Sequence, residues 1–316
     1  MKVSILVPVY NAADYLNQCV GSITGQTYTD LQIVLINDGS TDGSWKMMRE
    51  LASRDDRIEI YTQPNQGVAA TRNNLLEKVK GDFVLFVDSD DWIDPDTVET
   101  LVHEQQQGDY DIVMYQNLGN AESTVYTQDQ AVALFLEHEL FRGMLWNKLV
   151  RSSLFDGLEL DETISYGEDS LMTWYLLQRI SKMCALNRDF YHYNGDNQSS
   201  LSNQTFNGKK FSSYMVWHNI TCDTDEKWPQ YTDVAHARFA CEMTQVLLAA
   251  VVAGYKPDKQ VSMLQTAIRR DGHLMKKKGI SSPMMRTFSW LISHHYRMIL
   301  AISPIMNAYF RMKYGE

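Results

Sequence analysis

The stretch Gly81–Trp92, GDFVLFVDSDDW, joins a short apolar run directly to a cluster of carboxylates. Phe83–Val87 predicts a buried strand, and Asp88, Asp90 and Asp91 follow at its carboxyl end. In an open parallel α/β sheet, ligands bind beside the carboxyl ends of the strands. Carboxylates this close repel one another unless a cation lies among them, and their oxygens suit Mg²⁺ or Mn²⁺ with a diphosphate. The stretch therefore indicates a metal–diphosphate site, although an Asp-rich turn that only caps a helix has the same composition.

The residues before this stretch alternate between strand and helix patterns. Such alternation predicts parallel strands joined by crossover helices in a doubly wound α/β layer. After the stretch, Asp94 as N-cap and Pro95 at the first helical position predict a helix to about Gln107. The predicted strands are Val3–Val9, Leu31–Ile36 and Arg57–Tyr61, and the predicted helices are Asp14–Ile23, Ser44–Ser53 and Val68–Val79.

Beyond Asp111 the pattern is less regular. From about Lys209 the chain reads as mostly helical, which predicts a helical C-terminal subdomain at residues 206–316 after an α/β domain at residues 1–205. The predicted elements between are strands at Ile112–Tyr115 and Thr124–Tyr126, helices at Gln128–Phe141 and Asp169–Ile180, and an extended segment at Lys182–Tyr193.

The composition is that of an ordinary globular protein, with 316 residues of which 44% are hydrophobic and 22% charged. A net charge of −10 argues against a general nucleic-acid-binding surface. The four cysteines are widely separated and form no zinc-binding pattern, so we expect reduced thiols in a cytoplasmic protein. The chain passes from Met1 directly into a strand pattern, without the basic and apolar sections of a signal peptide.

The C-terminal region has a charge of its own. Residues 255–316 carry 11 Lys/Arg against 3 Asp/Glu, a balance of +8, so the remainder carries −18. The apolar run Met298–Phe310 has only 13 residues and contains Pro304, whereas a spanning helix needs about 20. The helix either packs on its own subdomain or lies on a bilayer surface with Lys276–Lys278 and Arg286 facing anionic lipid. The sequence leaves both interpretations open.

Polar residues follow the other predicted strands at the same edge of the sheet. Pro8, Tyr10 and Asn11 form a turn whose aromatic ring could stack on a base. Asp38 in NDGSTD could accept a hydrogen bond from a base, or the segment could be an Asx turn that caps a helix. Arg72 could pair with a carboxylate, donate to a base carbonyl, or form a plain surface ion pair. Neither GxGxxG nor GxxxxGK[ST] occurs, which argues against a dinucleotide cofactor and against P-loop NTPases.

Four ordered motifs resemble the nucleotide-binding half of the family 2 inverting glycosyltransferases, which have the GT-A fold. The resemblance is close over about the first 110 residues and continues more weakly to about Ser202. It implies nucleotide-sugar binding by residues 1–110 and an acceptor side at residues 111–205. The motifs are VSILVPVYNAADYL (3–16), INDGSTDGS (36–44), NQGVAATRN (65–73) and FVDSDDW (86–92).

The resemblance also implies roles for single residues on the donor side. Asp38 would contact the base of a uridine diphosphate donor, with Arg72 near that base. Asp88, Ser89 and Asp90 form the DxD motif, in which Asp88 would lie near the ribose and metal and Asp90 would be the main ligand of Mn²⁺ or Mg²⁺. Asp91 would lie behind these ligands or cap the next segment.

On the acceptor side the resemblance points to the segment Met144–Val150 and to Gly167–Asp169. Trp146 would be a platform for a sugar face, while a plain core tryptophan fits the sequence as well. Glu168 and Asp169 match the family's ED motif, so Asp169 would take the proton from the acceptor hydroxyl and Glu168 would position it. Carboxylates at a helix N-terminus are also favoured by the helix dipole alone.

A loop that closes over the diphosphate is the last expected part of the site. Tyr191–Tyr193 followed by NQSSLS (197–202) resembles it, with Ser200 and Ser202 matching the family's serines. Asn197 stands where members often have an arginine, and His192, Lys209 and Lys210 are candidate replacements. The QxxRW motif of the processive synthases is absent, which favours transfer of one sugar per encounter.

The sequence thus predicts a metal-dependent, inverting, non-processive glycosyltransferase that uses a UDP-sugar donor. The expected acceptor is lipid-linked or an oligosaccharide in bacterial surface polysaccharide assembly, with the enzyme cytoplasmic and in peripheral contact with the membrane. No nucleic-acid partner is expected. Two alternatives stay open at this point: a nucleotidyltransferase of similar fold, which would release pyrophosphate, and a silent protein that binds glycans or nucleotide sugars.

Overall fold

A computed structural model describes residues 1–117, 123–137, 143–195, 206–277 and 280–314, with side chains as far as Ala301. Its centre is an eight-stranded sheet with the order β3-β2-β1-β4-β8-β6-β9-β7. Strand β1 lies between β2 and β4 and is parallel to both. Its residues are almost all buried, as expected of a strand covered on both faces. The first four strands are β1 (Val3–Val9), β2 (Leu31–Asp38), β3 (Ile58–Gln63) and β4 (Phe83–Phe86).

Helices join the parallel strands and cover the sheet, which confirms the predicted mostly parallel α/β fold. The core beside the sheet contains Leu16, Val20 and Ile23 from the first helix together with alternate residues of β1. The helices of this part are α1 (Leu16–Thr24), α2 (Ser44–Ala52), α3 (Val68–Leu76), α4 (Thr97–Gly108), α5 (Gln128–Glu137) and α6 (Glu168–Leu177).

Two strands of the sheet run against the others. Strand β8 pairs antiparallel with β4 and β6, and β7 pairs antiparallel with β9. A separate two-stranded sheet joins β5 to β10, with Ile93 opposite Tyr191. The remaining strands are β5 (Trp92–Ile93), β6 (Ile112–Gln116), β7 (Thr124–Thr127), β8 (Lys148–Arg151), β9 (Lys182–Asn187) and β10 (Tyr191–His192).

The start of α4 corrects the sequence prediction. The helix begins at Thr97, not at Pro95, and Asp94 is not its N-cap. The residue before a proline is driven into an extended conformation, and here Asp94 continues from β5 and donates its N–H to the carbonyl of Phe190. The carbonyl of Asp94 then accepts bonds from the N–H and Oγ1 of Thr97 and closes the turn.

The chain divides into two compact units. The first comprises residues 1–132 and 142–200, and the second comprises residues 133–141 and 201–316. The second unit is helical, as the sequence predicts for this region. Its helices are α7 (Ser213–Lys227), α8 (Thr232–Val252), α9 (Lys259–Asp271) and α10 (Pro283–Tyr314), which is broken at His295.

Within the second unit, Arg238 of α8 caps the end of α5. Its Nε and Nη2 atoms donate to the carbonyls of Leu136 and Glu137 at 3.2 and 2.6 Å. Arg238 is buried, and a cation at a helix C-terminus is favoured by the helix dipole. In the described part of the chain, no helix has the length and apolarity needed to cross a bilayer.

Candidate active site

The predicted carboxylates lie at the carboxyl edge of the sheet. Asp88 follows β4, and its side chain is 32% exposed. Ser89 and Asp91 are buried, whereas Asp90 is half-buried. Since β4 and β2 flank β1, the loops after these strands open at the same edge.

An arginine joins these carboxylates to a second acidic pair. Arg72 on α3 is buried, and its Nη1 donates to Glu168 Oε1 at 2.5 Å. Its Nη2 lies 3.5 Å from Asp88 Oδ1. Burial alone would lower the pKa of Arg72, but the charges of Glu168, Asp88 and Asp169 raise it. The structure therefore selects pairing with carboxylates, and contact of Arg72 with a base stays a prediction.

Glu168 and Asp169 open α6 after Gly167, which has a φ of +88° that favours glycine. Asp169 Oδ1 accepts the N–H of Ser170 at 2.8 Å. Burial raises the pKa of Asp169 to about 7, the charge of Glu168 adds to this, and Arg72 opposes it. A carboxylate in this state can accept a proton near neutral pH, as general base catalysis requires.

The carboxylates at the end of β4 are suited to a cation. Partial burial raises the pKa of Asp88; Arg72 opposes that rise, while the charges of Asp90 and Glu168 add to it. Among the described residues, no group of three or more His, Cys, Asp or Glu is arranged around a metal position. Mg²⁺ is usually held by one or two carboxylates together with water and substrate phosphates. Asp88 and Asp90 fit an ion bound in that way.

Asp91 is a buried carboxylate that is bonded to other protein groups. It is 1% exposed, and its Oδ2 accepts a hydrogen bond from Tyr191 Oη at 2.7 Å, while Oδ1 accepts the N–H of Asn194 at 2.8 Å. Tyr191 Oη also accepts the N–H of Asp88 at 3.2 Å. Burial raises the pKa of Asp91 to about 7 despite these bonds. Asp91 and Tyr191 thus fix the loop that presents Asp88, and the tyrosine's role was missed by sequence reasoning.

Trp146 packs in the core of the first unit, which supports the structural alternative for this residue. Its ring stacks on Tyr191 with centroids 4.0 Å apart, and its carbonyl accepts a hydrogen bond from Tyr115 Oη at 2.6 Å. The side chain is half-buried. A second role as a sugar platform stays a prediction.

Asp38 holds the turn that precedes α3. Its carboxylate accepts hydrogen bonds from the side chain of Gln63 and from the N–H groups of Gln66 and Gly67, at 2.8 to 3.0 Å. The carboxylate is buried. Asp38 therefore positions the helix that carries Arg72, and contact with a nucleotide base would be a further role.

The turn after β1 is tied to the loop after β2. Asn11, with a φ of +48°, accepts the N–H of Thr41 through Oδ1 at 2.8 Å and donates its own N–H to Ser40 Oγ at 3.0 Å. Tyr10 is 51% exposed at this edge, and the preceding Pro8 lies within β1. These positions are compatible with the predicted base contact, which stays a prediction.

His192 pairs with Asp94, a carboxylate outside the DxD and ED motifs. Its Nε2 lies 2.7 Å from Asp94 Oδ1, and its ring stacks on Trp92 with centroids 5.3 Å apart. Its neighbour Tyr191 points to Asp91 instead, as the alternation along a strand requires. Ser200, Ser202 and Asn197 lie outside the described residues.

Lys148 is a buried lysine of the predicted acceptor-side segment Met144–Val150, and no role of its own was predicted for it. It begins β8, and its Nζ donates to Asn147 Oδ1 at 2.7 Å and to the carbonyl of Met144. Burial lowers the pKa of Lys148 to about 7, while the charge of Asp169 raises it. Lys148 therefore fixes the turn before β8, which carries Trp146. In the sequence, a lysine next to the apolar residues Leu149 and Val150 suggests a side chain exposed to solvent, whereas the structure buries it.

The family model and the curated relatives that match this chain are all glycosyltransferases. The model of the family described as Glycosyl transferase family 2 matches residues 4–157. Glycosyltransferase GlyG of Streptococcus pneumoniae is 30% identical over 212 residues, which cover 60% of this chain and 70% of GlyG. Glycosyltransferase GlyA of the same species is 33% identical over 211 residues, which cover 61% of this chain but only 30% of GlyA. The match thus spans less than a third of GlyA.

Solved structures share the fold. The crystal structure of S. aureus TarS 1-349 in complex with UDP-GlcNAc has a TM-score of 0.68 and 17% sequence identity. The similarity covers 96% of this chain and 91% of the TarS chain. At this identity the comparison establishes the architecture alone.

Proposed function

The chain belongs to glycosyl transferase family 2, and we propose that it moves a single hexose or N-acetylhexosamine from a UDP-sugar to an acceptor hydroxyl with inversion. The observation that carries the proposal is the arrangement around Arg72. This buried side chain contacts Glu168 at 2.5 Å and Asp88 at 3.5 Å, so the ED pair lies beside the DxD carboxylates. Inverting transfer needs these two groups together, since one must act on the acceptor and the other must hold the donor.

Asp169 is the proposed general base. It would take the proton of the acceptor hydroxyl as that oxygen attacks the anomeric carbon, which breaks the bond to UDP and inverts the centre. The raised pKa of Asp169, about 7, matches such a base to neutral pH. Glu168, fixed by Arg72, holds the start of α6 and so positions Asp169.

Asp88 and Asp90 are the proposed ligands of Mn²⁺ or Mg²⁺. Such an ion, when bound, neutralises the charge that develops on the leaving diphosphate. Asp91 and Tyr191 keep the loop in place, and Arg72 limits the repulsion among the carboxylates. The UDP part of the proposal is supported by the motifs at Asp38 and Arg72 and by the shared architecture with TarS, whose structure contains UDP-GlcNAc.

The proposed setting is bacterial surface polysaccharide assembly. The acceptor would be lipid-linked or an oligosaccharide, met at the cytoplasmic face of the membrane by a peripherally bound enzyme. The membrane part of this setting is supported by the +8 balance of residues 255–316. The polysaccharide part is supported by the 39% identity over 102 residues to the chondroitin synthase of Pasteurella multocida, which cover 32% of this chain and 11% of that protein.

Release of UDP from a panel of UDP-hexoses, with Mn²⁺ or EDTA and without acceptor, tests the proposal. We expect metal-dependent hydrolysis of one donor and loss of metal-dependent UDP binding in Asp90→Ala. The variant Asp96→Asn changes an exposed carboxylate at the start of α4 and is the matched control. Release that is unaffected by EDTA and by Asp90→Ala would contradict the metal site. In a separate assay with a nucleoside triphosphate and a sugar phosphate, release of pyrophosphate would indicate a nucleotidyltransferase.

A further inference from the structure

The break in α10 of the second unit is held in place by hydrogen bonds. At His295 the backbone leaves the helical region, with φ −128° and ψ 34°. The carbonyls of Ile292 and Ser293 accept bonds from the side chain of Gln265 at 3.0 and 3.1 Å, and Arg269 Nη1 donates to Ser293 at 3.0 Å. Carbonyl groups that a broken helix leaves without partners are satisfied here by α9. The break is therefore a stable part of the fold.

A cavity of about 770 Å³ lies at this break, between the start of α9 and the second half of α10. Three of its lining side chains are cations: Lys259, Arg269 and Arg297. Asp258 is the acidic residue among the described residues that line the cavity. Its two carboxylate oxygens already accept hydrogen bonds from the N–H of Val261 and from the hydroxyl of Tyr255. The cavity therefore carries a positive charge balance.

Two of the cations are available to a ligand. Among the described residues, Lys259 and Arg297 have neither a hydrogen-bond nor an ion-pair partner, and both are exposed. Arg269 already donates one bond to Ser293, and a guanidinium has further N–H donors. The side chains of His294 and His295 complete the polar lining. A group with several acceptor oxygens and a negative charge fits this surface.

Large apolar side chains border the same cavity. Met298 lines it and is 53% exposed, and Trp290 is 57% exposed. The Trp290 ring lies 5.4 Å from that of His294 and 5.5 Å from that of His295, so it is adjacent to the cavity wall. Tryptophan beside basic residues is the composition of surfaces that bind at the bilayer interface.

We propose that this cavity binds the phosphate group of an anionic membrane lipid while Trp290 and Met298 enter the interfacial region of the bilayer. A free phosphate would use the cations but leave both apolar side chains in water. The cavity is thus the surface through which the expected peripheral membrane contact would form. It does not depend on the candidate active site at the sheet edge of the first unit. Lipid binding and transferase activity can therefore fail separately.

Flotation of the full chain with vesicles tests the proposal. Vesicles of phosphatidylcholine are compared with vesicles of phosphatidylcholine mixed equally with phosphatidylglycerol. We expect binding to the anionic vesicles only, weakened about thirtyfold in the double variant Lys259→Gln/Arg297→Gln, because each basic residue near an anionic surface contributes about fivefold. Trp290→Ala should weaken the same binding. Both changes affect exposed side chains, and unchanged thermal unfolding confirms that the variants are folded.

The double variant Lys276→Gln/Lys277→Gln is the matched control. It removes the same amount of charge, but from the Lys276–Lys278 segment, which on sequence grounds could also face anionic lipid. An equal loss of binding in this control would show that vesicle binding depends on overall positive charge and not on the cavity, and would overturn the cavity site. Two further results would overturn the lipid occupant. One is inorganic phosphate binding that the cavity variant abolishes while vesicle binding is kept. The other is a dimer, measured by light scattering, that Trp290→Ala dissociates.

Discussion

The acidic pair at the start of α6 gives the clearest test at the level of single residues. We expect Asp169→Asn to leave UDP-sugar binding near normal while transfer falls at least about a hundredfold, because only the proton acceptor is removed. Donor binding by calorimetry and transfer by UDP release measure the two effects. Asp96→Asn should change neither. Normal turnover in Asp169→Asn would exclude this residue as the base.

The pH profile tests the same residue in a second way. Since the pKa of Asp169 is raised to about 7, its base form is lost as pH falls through 7, and kcat/KM should fall with it. The charge of Glu168 contributes to this rise, whereas Arg72 opposes it. Glu168→Gln should therefore move the midpoint of the acid limb to lower pH. A midpoint that stays in place would show that another group controls the profile.

At the residue scale, motifs predicted the acidic groups but only some of their partners. Asp88, Glu168, Asp169 and Arg72 are found from sequence because their spacing within short motifs is visible. The bond between Tyr191 and Asp91 joins positions 100 residues apart, and no local pattern reports it. The role of Lys148 was not predicted, because a buried lysine requires acceptors that only the folded turn supplies.

At the element scale, the Tyr191 hydroxyl joins β10 to the loop before β5. In Tyr191→Phe, Asp91 keeps the bond from Asn194 and loses the one from the phenol, which should cost about 1–3 kcal/mol of unfolding free energy. The raised pKa of Asp91, about 7, means that the folded state binds this proton more tightly than the unfolded chain. The stability that Asp91 contributes is therefore greatest at low pH and declines as pH rises through about 7.

Urea unfolding at two pH values measures this effect. The loss in Tyr191→Phe should be larger at pH 8, where Asp91 is charged, than at pH 5.5, where it is protonated. Tyr193→Phe changes the same atoms on a side chain that is 50% exposed and is the control. Equal losses at both pH values would show that the Asp91 charge is not involved.

Elements with a strong repeating pattern were predicted well, and short ones were not. Strand β1 has the predicted bounds, and α2 and α3 start at the predicted residues. Strand β8 was missed because its four residues include a lysine and an arginine and show no alternation. Strand β5 has two residues and exists only because β10 pairs with it.

At the scale of the whole molecule, the chain contributes to its second unit twice. Residues 133–141 belong to it, although they precede the second part of the first unit. In this unit Phe135 packs near Trp217, with ring centroids 6.3 Å apart, and Arg238 caps α5. A truncated chain of residues 1–200 lacks both partners.

We expect the truncated chain to aggregate or to unfold at lower temperature than the full chain, because Phe135 and Leu136 are fully buried in the intact protein. Size-exclusion chromatography and thermal unfolding measure this. The truncated chain with Phe135→Ser and Leu136→Gln should recover solubility, since the exposed apolar surface is then removed. A stable monomer of unaltered residues 1–200 would contradict this account.

The cap on α5 also has a consequence for synthesis on the ribosome. Arg238 lies 102 residues beyond Leu136, so the nascent chain displays the end of α5 long before its partner exists. At about 5–20 residues per second, the interval is on the order of 5–20 s. During that time Phe135 and Leu136 are open to chaperones, and slow codons between positions 140 and 238 would lengthen the exposure. The yield of folded protein should therefore respond to the rate of translation through this region.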